Sequence, residues 1–352
     1  MGGAWMIGAL HAIASETGWD PGSADYIVGT SAGAMVAALL ASGLPPWFLV
    51  ARSLGATFEG LTDRVPQAQE ESVRRAGAVF RLHWSFPRPI LGSPELALRS
   101  LREPWRYGPA GIVAWLPRGV ISTQPLQEVV RRLVPSGWSW HPNLWIVATD
   151  YGTGERVAFG RAGAPPADLA DAVAASCAIP GFYYPVTIAG RRYVDGGVGS
   201  PSNADLLTGT DADLVICLNP MSSPEPGGLL SPGGRLAQAI RGNIGRRLNE
   251  EARRLRRKKK RVILVQPTHE DQAAMGYNYM SNRNRNEVIE TAVISTTTLL
   301  RETALGTELR ALPAAPPHQV QRPTGPPSTW PPELRRAVAA EPAAGRRTRG
   351  AS

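Results

Sequence analysis

Apolar and polar positions along the chain predict an alternation of short buried strands with helices. Continuous apolar runs such as 214–218 are typical of parallel strands that are covered on both faces. Strands that alternate with helices predict an α/β fold, with a mostly parallel central sheet flanked by helices. The predicted strands are 25–28, 144–149, 156–159, 191–194, 214–218 and 262–265. The predicted helices are 5–17, 33–42, 167–178, 235–257 and 285–308.

Two stretches do not follow this alternation. Residues 45–140 carry many prolines and tryptophans with broken periodicity, and we expect them to form a cap-like insertion of helices and loops. The chain from Pro313 onward is rich in Pro, Ala and Arg with little apolar pattern, which predicts a disordered tail over 311–352. The sequence therefore predicts one domain over 1–310, followed by this tail.

Composition narrows the class of protein. An apolar content of 43% and a charged content of 19% are ordinary for a globular chain. Two cysteines, Cys177 and Cys217, cannot form a disulfide framework, so we expect free thiols in a reducing compartment. No stretch approaches the roughly 18 uncharged apolar residues of a membrane span, so we expect a cytoplasmic protein. The absence of a P-loop or zinc-type Cys/His spacing predicts no metal and no cofactor.

The net charge of +9 is unevenly distributed. Residues 253–261, which we call the basic run, hold eight cations in nine positions: Arg253, Arg254, Arg256, Arg257, Lys258, Lys259, Lys260 and Arg261. Such a run is typical of a solvated helix end, where cations suit the negative pole of the dipole. It is also typical of binding to anionic lipid, at a peripheral membrane location. No aromatic residue interrupts the cations, which disfavours nucleic acid.

The candidate chemistry lies in Gly29-Thr30-Ser31-Ala32-Gly33, between a predicted strand and a predicted helix. A G-x-S-x-G turn leaves room for a strained strand-to-helix turn, which presents the serine at the carboxyl end of the strand. The next helix then points its free N–H groups at the reacting centre. The pentapeptide alone is common, and the strand and helix on either side make it a candidate nucleophile.

A serine hydroxyl needs a base to remove its proton. Of the five histidines, only His269 follows a predicted strand, as a Ser-His-Asp triad would require. Asp195 is the alternative base, because it ends a predicted strand and the two glycines after it, Gly196 and Gly197, allow a tight turn. Taken alone, Asp195 would also fit a turn-forming Asp-Gly without chemistry.

Together these motifs resemble the patatin-like phospholipase family. Further resemblance comes from AWMIGALHAI at 4–13, VATDYGTGERVAFG at 147–160, SCAIPGFYYPV at 176–186 and RYVDGG at 192–197, and it covers about 2–305. The resemblance implies a Ser-Asp dyad without histidine, in which Ser31 is the nucleophile and Asp195 the general base. It also implies that the protein hydrolyses carboxylic ester bonds of lipids through an acyl-enzyme.

The start of the chain departs from the family pattern. The family supplies oxyanion donors from a glycine-rich loop between a first strand and the first helix, and here Gly2 matches only the last glycine of that loop, which leaves Gly2, Gly3 and Ala32 as candidate donors. The N–H of Ala32 would add one donor, and loss of a donor typically costs about 100- to 1,000-fold in rate. We therefore expect either a protein that begins upstream of Met1 or a short, weakened member.

Three alternatives to this function remain open on the sequence. The first is a catalytically impaired patatin-like protein that binds lipid or a membrane surface without hydrolysis. The second is a conventional triad esterase that uses His269. The third is a nucleic-acid-binding protein built around the basic run, which would leave both motifs unexplained.

Overall fold

The computed structural model describes residues 1–55, 92–102, 111–134, 137–222, 232–276 and 284–312, together with Pro332. The strands in these ranges are β1 (Ile27–Thr30), β2 (Leu144–Asp150), β3 (Arg156–Phe159), β4 (Val186–Ile188), β5 (Arg191–Asp195), β6 (Leu214–Leu218) and β7 (Arg261–Val265). The helices are α1 (Gly2–Thr17), α2 (Ala32–Ala41), α3 (Pro46–Ser53), α4 (Pro94–Arg102), α5 (Gln124–Leu133), α6 (Leu169–Ser176), α7 (Pro232–Arg257), α8 (His269–Met275), α9 (Arg285–Glu302) and α10 (Ala304–Arg310).

The predicted α/β fold, a central sheet flanked by helices, is confirmed. The main sheet has the order β1-β2-β5-β4, with β3 also paired to β2, and β6 pairs with β7 separately. The β1–β2 and β6–β7 pairs are parallel, whereas the other pairs are antiparallel. Pairing is therefore mixed rather than mostly parallel. One reason is the turn at Ala189 and Gly190, whose positive φ values of 48° and 76° are typical of a two-residue hairpin between β4 and β5.

Small residues allow the helices to lie close to the sheet and to one another. One apolar cluster joins the alanines of α2 and α6 to β1, β2 and β5, and its largest buried side chains are Tyr193 and Phe159. A second cluster packs α1 against α9 and the β6–β7 pair. At the α1–α9 contact, a Cβ on Gly8 would lie 2.6 Å from the carbonyl oxygen of Ile289, so only glycine fits there.

Strands β1 and β6 run in the same direction. The hydroxyl of Tyr26, just before β1, donates to Asp211, just before β6, over 2.8 Å. At the opposite ends, a Cβ on Gly3 of α1 would lie 3.7 Å from Ala32, which follows β1. Gly2 lies against Pro220, which follows β6. The molecule thus has an amino edge, where β1, β6 and β7 begin, and a carboxyl edge, where they end.

The predicted elements agree with the structure to within a few residues, with three exceptions. Strand β4 and helix α8 are missed, and the helix predicted at 285–308 is two helices. The break lies at Thr303, where the backbone is extended (φ −120°, ψ 160°). None of the helices in the described ranges combines the length and the hydropathy needed to cross a membrane.

The predicted cap and tail lie partly outside the described residues. Helices α3, α4 and α5 belong to the predicted cap, whereas 56–91, 103–110 and 135–136 are not described. The tail predicted over 311–352 is described only at 311–312 and at Pro332. The domain boundaries at 1–310 and 45–140 therefore stay predictions.

Candidate active site

Ser31 and Asp195 meet where two short strands end against the longer β2. Thr30, the last residue of β1, pairs with Val147, and Asp195, the last residue of β5, pairs with Ala148. The Ser31 hydroxyl donates a hydrogen bond to Asp195 Oδ2 over 2.7 Å. The structure therefore joins the two motifs that the sequence separates by 164 positions.

The serine sits on a strained turn between β1 and α2. Its backbone has φ 53° and ψ −125°, a conformation that is costly for any residue with a Cβ. A Cβ on Gly29 would lie 2.7 Å from Ala34 Cα, so the close approach of β1 to α2 requires glycine there. A Cβ on Gly33 would make only an ordinary contact, 3.7 Å from Met6. Space therefore demands the first glycine of the motif but not the second.

The carboxylate of Asp195 is buried and held at both oxygens. Its side chain is 6% exposed, Oδ2 accepts from Ser31, and Oδ1 accepts from the Gly197 N–H over 2.7 Å. Burial raises the pKa of Asp195 to about 6, and the hydrogen bonds from Gly197 and Ser31 partly oppose this rise. A carboxylate with this pKa is ionised at neutral pH and is a stronger base than an exposed one.

The glycine after the aspartate allows the turn to lie against β2. A Cβ on Gly196 would lie 2.3 Å from the carbonyl oxygen of Val147, so no larger residue fits. The bond from Gly197 to Asp195 Oδ1 is the one that a simple Asp-Gly turn would make. The second oxygen of Asp195 faces Ser31, which a simple turn does not explain.

A buried polar network behind the two motifs was not predicted from the sequence. Asn203 Nδ2 donates to Thr30 Oγ1 over 3.0 Å and to the carbonyl oxygen of Ser200 over 2.6 Å. Its Oδ1 accepts from Arg156 over 3.0 Å, and Arg156 also makes a two-bond pair with Asp205 (2.6 and 2.9 Å). The network links the residue before Ser31 to the segment after Gly197. Because its partners are distant in sequence, no local pattern indicated it.

Helix α7 anchors this network from outside. Glu251, 6% exposed, accepts a hydrogen bond from the Ser200 hydroxyl and another from the Ala204 N–H over 3.0 Å. Burial raises the pKa of Glu251, and the hydrogen bond from Ser200 partly opposes this rise. The segment that follows the aspartate motif is therefore fixed to a long helix.

The candidate oxyanion donors lie at the carboxyl edge. Gly3 of α1 is beside Ala32, the residue after the nucleophile, whereas Gly2 packs on Pro220. The first N–H groups of a helix have no partner within the helix, and they form the positive end of its dipole. The amino termini of α1 and α2 therefore lie together next to Ser31, where negative charge would develop on an attacked carbonyl.

The histidines of the described ranges are not bonded to Ser31. His141 is 2% exposed and its Nε2 lies 2.8 Å from the carbonyl oxygen of Ala24, so it links two loops. His269 begins α8, where Thr268 caps the helix. The Ser31 hydroxyl is directed to a carboxylate instead, which disfavours a His269 triad. Within the described ranges, no group of three His, Cys, Asp or Glu side chains is arranged to hold a metal ion.

The basic run lies at the amino edge, away from Ser31. It ends at Arg261, which pairs with Leu214 at the start of β6. Four of its cations have contacts within the protein: Arg254 with Asp205, Arg256 with Val262, Lys260 with Thr210 and Ala212, and Arg261 with Glu308. The other four are exposed: Arg253, Arg257, Lys258 and Lys259.

A comparison with protein families gives a match that covers both motifs. The model of the family described as patatin-like phospholipase matches residues 1–208, which is more than half of the chain. The matched range includes Ser31, Asp195 and the glycines of both motifs. It also includes Asn203 of the polar network and ends before β6.

Proposed function

Because this chain belongs to the patatin-like phospholipase family, a family of lipid acyl hydrolases, we propose that it cleaves carboxylic ester bonds of lipids with a Ser-Asp dyad. Ser31 is the nucleophile and Asp195 the general base. The observation that carries the proposal is the 2.7 Å hydrogen bond from the Ser31 hydroxyl to Asp195 Oδ2. The pKa of about 6 at Asp195 supports its role as the base.

The reaction proceeds in two half-reactions. As Ser31 Oγ attacks the acyl carbonyl, its proton passes to Asp195 Oδ2, and the carbonyl oxygen becomes an oxyanion near the N–H of Ala32. The intermediate expels the alcohol, which takes the proton from Asp195 and leaves an acyl group on Ser31. Water then attacks the acyl-enzyme while Asp195 accepts a proton from it. Collapse of the second intermediate releases the fatty acid and returns the proton to Ser31.

Exposed apolar side chains on and beside the predicted cap support a lipid substrate. Of the nine large apolar side chains exposed in the described ranges, eight lie on the predicted cap or beside it: Leu54, Leu98, Leu101, Ile112, Trp115, Leu116, Val120 and Ile179. We call this set the cap apolar surface. Leu116 lies 3.7 Å from the position of a Cβ on Gly181, close to Ile179. Ile179 in turn follows Cys177, whose Sγ is 3.1 Å from the Ser31 carbonyl oxygen.

The basic run is proposed to bind an anionic membrane surface separately from substrate. The exposed cations Arg253, Arg257, Lys258 and Lys259 can approach lipid phosphates, each contributing about 1 kcal/mol near an anionic surface. Because the run lies at the amino edge, such docking does not bring Ser31 to the same surface. We therefore assign the run to attachment and the cap apolar surface to substrate access.

Labelling by a fluorophosphonate, which traps activated serines, tests the dyad. The parent chain is compared with Ser31→Ala, Asp195→Ala and His269→Ala. Ser42→Ala is the matched control, because the Ser42 hydroxyl is buried and has no hydrogen-bond partner in the described part of the chain. We expect labelling in the parent, Ser42→Ala and His269→Ala chains, and its loss in the other two.

Two results would contradict the proposal. Labelling that persists in Ser31→Ala would identify another nucleophile, and its loss in His269→Ala would restore the triad. A folded parent that binds lipid vesicles, takes no label and releases no fatty acid would instead favour the catalytically impaired relative.

A further inference from the structure

The strained backbone of Ser31 needs partners that hold it in place. A non-glycine residue persists at φ 53° only where the surrounding structure fixes it. Its N–H and C=O are also polar groups that must be satisfied when they are removed from water. The contacts of this one peptide therefore show which element sets the position of the nucleophile.

The hydroxyl of Ser176, the last residue of α6, both accepts and donates a hydrogen bond. It accepts a hydrogen bond from the Ser31 N–H over 2.9 Å and donates one to the Val147 carbonyl oxygen over 2.6 Å. The side chain of Ser176 is fully buried. The hydroxyl thus bridges the nucleophile to β2, the strand against which both members of the dyad lie.

The next two residues, Cys177 and Ala178, hydrogen-bond to the backbone of Ser31 and of Asp195. The Cys177 thiol donates to the Ser31 carbonyl oxygen over 3.1 Å. Burial, and then the charge of Asp195, raise the pKa of the Cys177 thiol, so it stays protonated and remains a donor. The carbonyl oxygen of Ala178 accepts a hydrogen bond from the Asp195 N–H over 3.0 Å.

We infer that Ser176, Cys177 and Ala178, which we call the α6 turn, position the dyad by fixing the backbone of Ser31 and of Asp195 together. These are positioning residues, since none of their side chains contacts the bond to be broken. An alanine at position 176 would fill nearly the same volume within a helix that is already half alanine. The hydroxyl is therefore needed for its two polar partners rather than for packing. This inference rests on the proposed Ser31–Asp195 function.

The first test compares Ser176→Ala with the control Ser42→Ala. The hydroxyl of Ser42 is buried and has no hydrogen-bond partner in the described ranges. The measurement is kcat and KM on a soluble p-nitrophenyl ester, together with the fluorophosphonate labelling rate. We expect kcat and labelling to fall by about 100-fold in Ser176→Ala with KM nearly unchanged, since small displacements of reacting groups cost about this much. Ser42→Ala should behave as the parent. A Ser176→Ala chain that melts at a lower temperature but keeps kcat would overturn the inference.

The second test uses the thiol. Cys177→Ser keeps a donor toward the Ser31 carbonyl oxygen and should retain the labelling rate of the parent. In Cys177→Ala the labelling rate should fall about tenfold, which corresponds to the loss of one ordinary hydrogen bond. Cys217→Ala, at a buried cysteine in β6, controls for loss of a thiol elsewhere. Equal rates in Cys177→Ser and Cys177→Ala would contradict a positioning role for this donor.

A third measurement does not depend on activity. Hydrogen exchange of the Ser31 amide is compared in the parent, Ser176→Ala and Ser42→Ala chains. We expect faster exchange at this amide in Ser176→Ala alone, because only that variant removes its acceptor. If the parent takes no label but the three chains show this exchange pattern, the proposed function is refuted. The inference that the α6 turn supports Ser31 would still stand. Unchanged exchange would refute the α6 turn, whatever the labelling shows.

Discussion

At the scale of single residues, Asp195, the proposed general base, is expected to have opposite effects on activity and on stability. The same burial that raises its pKa to about 6 makes it a stronger base and makes its ionised form costly. Functional groups with shifted pKa values are often kept at the expense of stability. Both effects lead to measurable consequences.

The pH dependence of acylation should report the titration of Asp195. The proposed base is active when ionised, so the labelling rate should fall about tenfold per pH unit below pH 6 and be constant above it. The measurement is the second-order rate of fluorophosphonate labelling between pH 4 and pH 9. A profile that instead falls near pH 7 in the parent, and changes in His269→Ala, would contradict the assignment.

The substitution Asp195→Asn should abolish activity and increase stability at neutral pH. The pKa of the carboxyl is raised from 3.8 to about 6 on folding, so its favourable contribution is complete below pH 3.8 and is lost as pH rises through 6. At about 1.4 kcal/mol per pKa unit, the ionised carboxylate costs on the order of 3 kcal/mol. Urea unfolding should show Asp195→Asn more stable than the parent at pH 8 and nearly equal at pH 4. A destabilised variant at pH 8 would show that the ionised form is favoured by its two hydrogen bonds.

The sequence singles out the two motif residues as candidates, but it does not indicate the residues that support them. Ser31 and Asp195 were predictable because glycines and a strand end surround each of them. Ser176 and Asn203 were not, because a buried serine and asparagine acquire a role only from distant partners, Val147 and Thr30. The strain at Ser31 follows from the motif, whereas the residues that hold it follow only from the fold.

At the scale of secondary-structure elements, some strands are likewise predictable from the local sequence, whereas strand β4 depends on the fold. Strands β2, β6 and β7 were predictable because each is largely a continuous run of apolar residues. Strand β4 has only three residues, too few to show a period. Its pairing with β5 depends on a two-residue turn at Ala189, which is an unusual residue for a positive φ.

The contact between β1 and α2 predicts a large effect from one methyl group. In Gly29→Ala the added Cβ would lie 2.7 Å from both Ala34 Cα and Ala37 Cβ, so strand and helix must separate. Overpacking of this kind costs about 1–3 kcal/mol, and displacement of Ser31 should lower the labelling rate by about 100-fold. Thermal melting and labelling measure the two effects.

Gly242→Ala is the matched control for this substitution. Gly242 lies within α7, and a Cβ there would meet no atom of the described residues within 4 Å. Because alanine favours a helix by about 1 kcal/mol over glycine, this variant should be slightly more stable than the parent and equally active. Similar losses in both variants would show that the β1–α2 contact is not the cause.

At the scale of the whole molecule, the two surfaces proposed to meet lipid lie in different places. The cap apolar surface includes Ile179, which follows the α6 turn, and Leu116, which lies beside Gly181, whereas the basic run ends at the amino edge. Since β6 spans five residues at about 3.3 Å each, the two edges are separated by more than 10 Å of sheet. Binding by charge and access of substrate should therefore be separable.

Two sets of variants test this separation. Charge reversal at Arg253, Arg257 and Lys258, all exposed, should reduce binding to vesicles with anionic lipid and leave binding to neutral vesicles unchanged. Hydrolysis of a soluble ester should also remain unchanged, because the dyad is distant.

The substitutions Ile112→Ser and Trp115→Ala remove the apolar residues that are 73% and 46% exposed. They should reduce hydrolysis of vesicle lipid, again without affecting the soluble ester. If charge reversal instead reduces soluble-ester hydrolysis as strongly as vesicle binding, the run is coupled to the dyad, and the network through Arg254, Asp205 and Arg156 is the route to examine.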